Sequence, residues 1–86
     1  MADRRFNVLF LSNRNTTRSI FAESVMNRVG RPNFTAFSAG IRPAEALDPL
    51  ARDILKAAQY PTDNLHPKSW QEFARPKAPP LDFVFT

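Results

Sequence analysis

The chain has 86 residues, a net charge of +4 at pH 7 and no cysteine. This length accommodates one small domain, which we expect to span residues 1–86. The lack of cysteine excludes disulfides, thiolate metal sites and thiol redox chemistry on this chain. No apolar run approaches the roughly 20 residues of a membrane span, and the short run after the basic residues 1–5 does not resemble a secretion signal. We therefore expect a cytoplasmic protein with no metal, no cofactor and no membrane partner.

The positive charge raises nucleic-acid binding as an alternative function. The arginines are spread along the chain, from Arg4 to Arg75, and do not form one basic run. One tryptophan and one tyrosine do not make a pattern of interleaved basic and aromatic residues. This distribution favours a mildly basic solvated surface over a nucleic-acid interface.

The first predicted unit is a strand, a loop and a helix. After a polar lead-in at residues 1–5, Phe6–Leu11 is a nearly continuous apolar run, typical of a central parallel strand covered on both faces. Ser12–Thr17 is polar and predicts a loop, and Ser19–Val29 predicts a helix. Such a unit often cradles an oxyanion, because the unpaired N–H groups and the positive dipole end of the helix point into the loop. Arg18 adds a guanidinium, which can grip a tetrahedral anion through two parallel hydrogen bonds.

The first helix carries an apolar stripe and a glycine stop. Phe21, Val25 and Val29 recur at every fourth position, so we expect this stripe to be buried. Gly30 follows directly, and we expect it to end the helix at a position that tolerates a left-handed conformation.

A second strand and a second helix follow. The aromatic and β-branched residues of Phe34–Ser38 predict the strand. Asp48 is the expected N-cap of the helix, and Pro49 is its first residue. We expect the helix to end by Tyr60. Leu50, Ile54 and Ala58 share one apolar face of this helix, with Ala51 and Leu55 beside it.

The last third of the chain predicts one helical turn and one strand. Ser69–Phe73 reads as a single turn, with Ser69 and Glu72 as a capping box. Leu81–Phe85 predicts the third strand. The alternating order therefore indicates an α/β fold: an incomplete doubly wound domain with a parallel sheet of about three strands in the order 2-1-3 and helices on both faces.

The stretch from Val8 to Glu23 resembles the phosphate-binding loop of the low-molecular-weight tyrosine phosphatase superfamily. That loop has an apolar strand, a cysteine, five residues, an arginine, a serine and soon afterwards Ala-Glu. Ser12 stands at the position of the nucleophilic cysteine, and Arg18 and Ser19 match the arginine and the serine. The remaining matches are Asn15, Ala22 and Glu23.

Later segments resemble successive landmarks of the bacterial arsenate reductase branch of this superfamily. These landmarks are Phe37–Gly40, Asp48-Pro49, Lys68–Phe73 and Leu81–Thr86. The resemblance implies a catalytic set of Ser12, Arg18 and Ser19. It also implies an oxyanion-binding loop for phosphate, sulfate or arsenate, made of Ser12, Asn13, Arg14, Asn15, Thr16, Thr17 and Arg18. Asn15 is expected to hold the turn of the loop, and Ser19 either caps the helix or tunes the nucleophile.

Serine at position 12, in place of the cysteine, determines which reactions we expect of the loop. An unactivated hydroxyl is a weak nucleophile that needs an adjacent base, and the motif contains none; His66 lies far along the chain, so a Ser12–His66 pair is a minor alternative. Arsenate reduction also fails, because oxygen cannot form the thiol–disulfide couple that carries the electrons. Whether the chain is an enzyme is therefore uncertain: we expect oxyanion binding without turnover.

Two further alternatives concern the chain as a whole. It is either an inactive relative of arsenate reductases and phosphatases or a non-catalytic module that binds oxyanions or phosphoproteins. The serine is either a deliberate replacement or a natural one, and we expect the family's later strand and loop, which carry its acid and further cysteines, to be absent from this shortened domain. An apolar last strand with an open edge predicts a homodimer through residues 81–85.

Overall fold

The structure is a computed structural model that describes residues 5–86. Most of the predicted lead-in at residues 1–5 lies outside the described residues. The elements are β1 (Phe6–Ser12), α1 (Arg18–Val29), β2 (Phe34–Gly40), α2 (Pro49–Ala57), a 3-10 turn (Trp70–Phe73) and β3 (Phe83–Phe85). None of the helices within residues 5–86 has the length and apolar content needed to cross a lipid bilayer.

The three strands form one parallel sheet in the order β2-β1-β3. β1 pairs with β2 along its whole length, from Phe6 opposite Phe34 to Ser12 opposite Gly40. The shorter β3 begins its pairing with Phe83 opposite Val8. The predicted α/β class and strand order are confirmed, and the loop after β1 lies at the carboxyl edge of the sheet, where open α/β sheets bind ligands.

Helical segments cover both faces of β2. On one face, the carboxylate of Glu23 in α1 accepts a hydrogen bond from the hydroxyl of Ser38. On the other face, the Phe37 ring lies 5.4 Å from the Phe73 ring of the 3-10 turn, measured between ring centroids. The predicted helices on both faces are therefore confirmed.

The buried face of α1 differs from the predicted stripe. Val25 is 42% exposed and Val29 is 74% exposed, whereas Ile20 and Ser24 are buried. The reason is polar packing: Asn27 donates to the carbonyl of Ala36 at 3.0 Å and accepts from its N–H at 2.7 Å. These bonds turn the more polar side of α1 inward, so the apolar spacing misidentified its buried side.

The buried face of α2 is centred on the two residues that stand beside the predicted row. Leu50 and Ile54 are 65% and 49% exposed, whereas Ala51 and Leu55 are each 2% exposed. The neighbouring face is buried because Leu55 joins an apolar cluster that spans three parts of the chain. The other members of this cluster are Ile20, Leu47 and Leu65.

Two predicted helix ends form differently in the structure. Gly30 ends α1 as predicted, but with φ of −83°, which is a right-handed conformation and not the left-handed one that the position tolerates. Its lack of a side chain is needed for space, because a Cβ there would lie 2.7 Å from the carbonyl oxygen of Met26. Ser69 caps the 3-10 turn as predicted, but its hydroxyl accepts from the N–H of Gln71 and not from that of Glu72.

The two outer edges of the sheet differ. At β2, both backbone groups of Ala36 are bonded by the Asn27 amide. At β3, the side chains of Phe83, Val84 and Phe85 are 45%, 51% and 52% exposed. An exposed apolar edge strand is a template for pairing with another chain.

We therefore propose that two copies of the chain associate through β3, and we expect Val84→Lys to weaken this association because a charge on an edge strand opposes pairing. Sedimentation velocity over a range of concentrations measures the effect. Val29→Lys is the matched control, since Val29 is an exposed valine away from the edge. A wild-type chain that stays monomeric at high concentration and melts cooperatively would contradict the proposal.

Candidate functional site

The loop between β1 and α1 is held from outside by the segment that follows β2. Three successive carbonyl groups of the loop accept backbone hydrogen bonds of 2.8–3.0 Å from this segment. Because the carbonyl oxygens are bonded to an outer segment, their partial negative charges are turned away from the centre of the loop. The donor and acceptor pairs are Ile41 to Ser12, Arg42 to Asn13, and Ala44 to Arg14.

Gly40 at the end of β2 lets the loop approach the sheet closely. A Cβ at this position would lie 3.0 Å from the carbonyl oxygen of Asn13 and 3.0 Å from the Cβ of Asn15. A side chain there would push the loop outward. The glycine of the Phe37–Gly40 landmark therefore has a steric reason in this chain.

Asn15 is the buried centre of the loop. It is 1% exposed and has a positive φ of 57°, a conformation that asparagine tolerates better than most residues. Its Nδ2 donates to the hydroxyl of Ser19 at 2.8 Å, and its Oδ1 accepts from the N–H of Lys68 at 2.9 Å. The asparagine thus joins the start of α1 to the segment before the 3-10 turn.

Ser12 and Ser19 face each other across the loop. Their hydroxyl oxygens lie 2.9 Å apart and share a hydrogen bond, and the N–H of Asn15 donates to the Ser12 hydroxyl at 3.0 Å. Ser19 is buried and lies in the first turn of α1. The N-cap of this helix is Thr17, whose side chain makes no capping hydrogen bond.

A pocket of about 280 Å³ opens at the carboxyl end of β1. Three of the predicted site residues line it together: Ser12, Arg18 and Ser19. The other walls come from the sheet, α1 and the end of β3, through Phe10, Leu11, Ala22, Phe85 and Thr86. The remaining predicted residues do not line this pocket: Asn13 and Arg14 are exposed, Asn15 is buried, and Thr16 and Thr17 are half-buried.

The structure does not bring His66 to this pocket. Its ring lies against the carbonyl of Asn64, with 3.2 Å between Nδ1 and the oxygen, and the residue is exposed. Among residues 5–86, the side chains that line the pocket include no carboxylate and no imidazole. A Ser12–His66 pair is therefore absent from this structure.

A second group of polar residues supports the loop from behind. Lys68 donates from Nζ to the carbonyl of Ser38 at 3.1 Å and lies 4.0 Å from the carboxylate of Glu23. The side chains of Lys68 and Glu23 are only 12% and 16% exposed. Because the N–H of Lys68 also holds Asn15, this group ties the loop to α1 and β2.

The sequence indicated these residues only as landmarks and assigned them no role in the site. Glu23 and Lys68 are 45 positions apart along the chain, and no local pattern pairs them. The only sequence feature that could have indicated this contact is that Glu23 and Lys68 both belong to segments that resemble the family. Their contact depends on how α1 and residues 62–69 pack on the same sheet.

We expect Lys68→Met to lower the free energy of unfolding by about 1–3 kcal/mol, because it leaves the largely buried Glu23 carboxylate without a cation. Urea denaturation measures the loss. The double variant Glu23→Gln with Lys68→Met is the control and should regain part of the stability. Equal stability of Lys68→Met and the wild type would show that the ion pair does not support the loop.

The sequence model of the low molecular weight phosphotyrosine protein phosphatase family matches residues 7–86. A search of curated protein sequences gives no significant match. The match to the family model confirms the superfamily that was predicted from the residues of the loop.

Solved structures give the same assignment of the fold. The chain is similar to the thioredoxin-dependent arsenate reductase Cg_ArsC1' of Corynebacterium glutamicum, with 20% identity over 100% of this chain and 51% of the other, and a TM-score of 0.77. It is similar to YfkJ of Bacillus subtilis, with 20% identity over 93% of this chain and 54% of the other, and a TM-score of 0.74.

A third similar structure is a low molecular weight protein tyrosine phosphatase from T. tengcongensis. The identity is 27% over 92% of this chain and 56% of the other, and the TM-score is 0.69. The chain therefore spans about half the length of these three proteins. Since the family model matches almost from end to end, the chain belongs to the low molecular weight phosphotyrosine protein phosphatase family.

Proposed function

We propose that the chain binds a tetrahedral oxyanion such as phosphate, sulfate or arsenate in the pocket at the end of β1, and that it does not turn the anion over through Ser12. The observation that carries the proposal is the meeting of Ser12, Arg18 and Ser19 around one pocket at the start of α1. This pocket combines a guanidinium, a pair of hydroxyls with one proton left to donate and a helix N-terminus, all of which stabilise negative charge.

The start of α1 supports anion binding in two ways. The Thr17 side chain leaves the first-turn N–H groups uncapped, and the first turn contains no acidic residue. Uncapped N–H groups need a partner, and an oxyanion at the helix end supplies one. The helix dipole adds a favourable interaction with negative charge at this end.

The neutral serine changes what the pocket can do. A thiolate would place a negative charge beside the bound anion, whereas the Ser12 hydroxyl can donate a hydrogen bond to it. The hydroxyl is a poor nucleophile without a base, and the residues from 5 to 86 that line the pocket supply no base. Binding is therefore retained in this proposal, and covalent transfer is not.

The relatives identify the kinds of ligand to test. One similar structure is named an arsenate reductase and another a protein tyrosine phosphatase. Arsenate, phosphate and an aryl phosphate share the tetrahedral oxyanion that we propose as the ligand of the pocket. A thiol-coupled reduction of arsenate needs a thiol to be oxidised to a disulfide, and the chain contains no cysteine.

We expect Arg18→Gln to weaken phosphate binding by about 10-fold to 100-fold, because it removes a charge-assisted hydrogen bond. Isothermal titration with phosphate, and separately with arsenate, measures the change. Arg14→Gln is the matched control, since Arg14 is an exposed arginine of the same loop that does not line the pocket. An equal loss in both variants would indicate a general charge effect and no specific site.

We expect Ser12→Cys to create a nucleophile in the existing pocket. With p-nitrophenyl phosphate, whose leaving group needs little protonation, this variant should release a burst of p-nitrophenol and form phosphocysteine, whereas the wild type releases none. Mass spectrometry detects the covalent intermediate. The double variant Ser12→Cys with Arg18→Gln should lose the burst.

The Ser12→Cys experiment also distinguishes the two alternatives for the chain, an inactive relative of the enzymes and a non-catalytic binding module. A burst supports an enzyme that lacks its nucleophile. Phosphate binding by Ser12→Cys without a burst supports a non-catalytic oxyanion-binding or phosphoprotein-binding module. A well-folded wild-type chain with no affinity for phosphate, sulfate or arsenate would refute the proposed function.

A further inference from the structure

A second and larger cleft lies between the C-terminal half of α1 and the loop after α2. Its volume is about 560 Å³, twice that of the pocket at the end of β1. The two cavities share no lining residue. The cleft is therefore a separate feature of the surface, and its role does not depend on the oxyanion pocket.

Ser24 supplies the first evidence that this cleft takes a ligand. Its side chain lines the cleft, and the residue is only 8% exposed. Its hydroxyl has no hydrogen-bond partner among residues 5–86, and it is the one buried side-chain polar atom of that part of the chain without a partner. A buried hydroxyl without a partner is unfavourable, and a polar group bound in the cleft beside Ser24 would supply one.

Two arginines lie beyond Ser24 along the same wall of the cleft. Arg28 follows Ser24 at the fourth position of α1, Arg31 lies in the turn after the helix, and both residues line the cleft. Arg28 is held in place, because its guanidinium carbon lies 4.6 Å from the centroid of the Tyr60 ring and its Nη1 donates to the carbonyl of Ala58 at 3.3 Å. One hydroxyl and two guanidiniums thus present hydrogen-bond donors along one wall.

The acidic residues of the cleft limit the charge of the ligand. Glu23 is engaged by the Ser38 hydroxyl and lies beside Lys68, but Asp63 is exposed at the loop side. The cleft also borders the C-terminal half of α1, where the helix dipole opposes anions. A singly charged carboxylate is repelled less here than a phosphate dianion, and its planar shape matches a guanidinium fork.

The loop wall of the cleft is partly apolar. Tyr60, Pro61 and Leu65 line it opposite the donors on α1. We propose that this cleft binds a small carboxylate with a flat apolar body, the carboxylate bonded to Ser24, Arg28 and Arg31 and the body packed against Tyr60 and Pro61. The binding site is independent of oxyanion binding by the loop after β1.

Benzoate is the probe for this proposal, and benzamide is its neutral control. Amide resonances of the 15N-labelled chain are recorded as each compound is added. We expect benzoate to shift resonances in residues 23–31 and 59–65 with a saturating response, and benzamide to bind at least about tenfold more weakly, because it lacks the charge-assisted hydrogen bonds. Shifts confined to the loop at residues 12–19, or no saturating shift, would overturn the proposal.

Two variants test the named donors. Ser24→Ala should weaken benzoate binding about fivefold or more while leaving the melting temperature unchanged or raised, because it removes a hydroxyl that has no partner within residues 5–86. Arg31→Gln should weaken binding by about tenfold, and Arg52→Gln, an exposed arginine outside the cleft, should leave it unchanged. Wild-type affinity in both Ser24→Ala and Arg31→Gln would overturn the assignment. Phosphate titration of the same variants should remain at the wild-type value, which separates this site from the pocket at the end of β1.

Discussion

The loop after β1 depends on one buried asparagine whose backbone and side chain are both constrained. Asn15 has a positive φ of 57°, and its side-chain amide bonds the hydroxyl of Ser19 on one side and the N–H of Lys68 on the other. Its own N–H holds the hydroxyl of Ser12. A buried amide without these partners would cost free energy, so the bonds select one loop conformation. That conformation places both serines at the pocket and connects it to the rest of the domain.

From Lys68 the same network continues into the body of the protein. The ammonium of Lys68 lies between the carbonyl of Ser38 and the carboxylate of Glu23, and the carboxylate in turn accepts from the Ser38 hydroxyl. β2, α1 and the segment before the 3-10 turn are thereby held together by polar contacts. The inward engagement of Glu23 also reduces the negative charge presented to the cleft on the far half of α1. One helix thus contributes its first turn to one cavity and its C-terminal half to another.

Binding and nucleophilic attack make different demands on the loop after β1. The proposed anion binding rests on Arg18, the first-turn N–H groups and the carbonyls bonded to the segment after β2, and none of these requires a thiol. Nucleophilic attack depends on the side chain at position 12 and on a group that activates it. The proposed function retains the first set and lacks the second, which is why a single replacement at Ser12 is an informative experiment.

The order of elements, the parallel sheet with β1 at its centre and the loop with Ser12, Arg18 and Ser19 follow from local patterns, because apolar runs, caps and a short motif are properties of neighbouring residues. The buried faces of α1 and α2 do not follow from them. Val25 and Leu50 have apolar spacing yet are exposed, because Asn27 and Leu55 meet partners that are distant in the sequence. Likewise, the sequence by itself determined that the loop resembles that of this family and that position 12 carries a hydroxyl in place of the thiol. Only the tertiary structure decided that Lys68 supports Asn15 and that Ser24 lines a second cleft, because such contacts are made by the packing of segments that no local pattern relates.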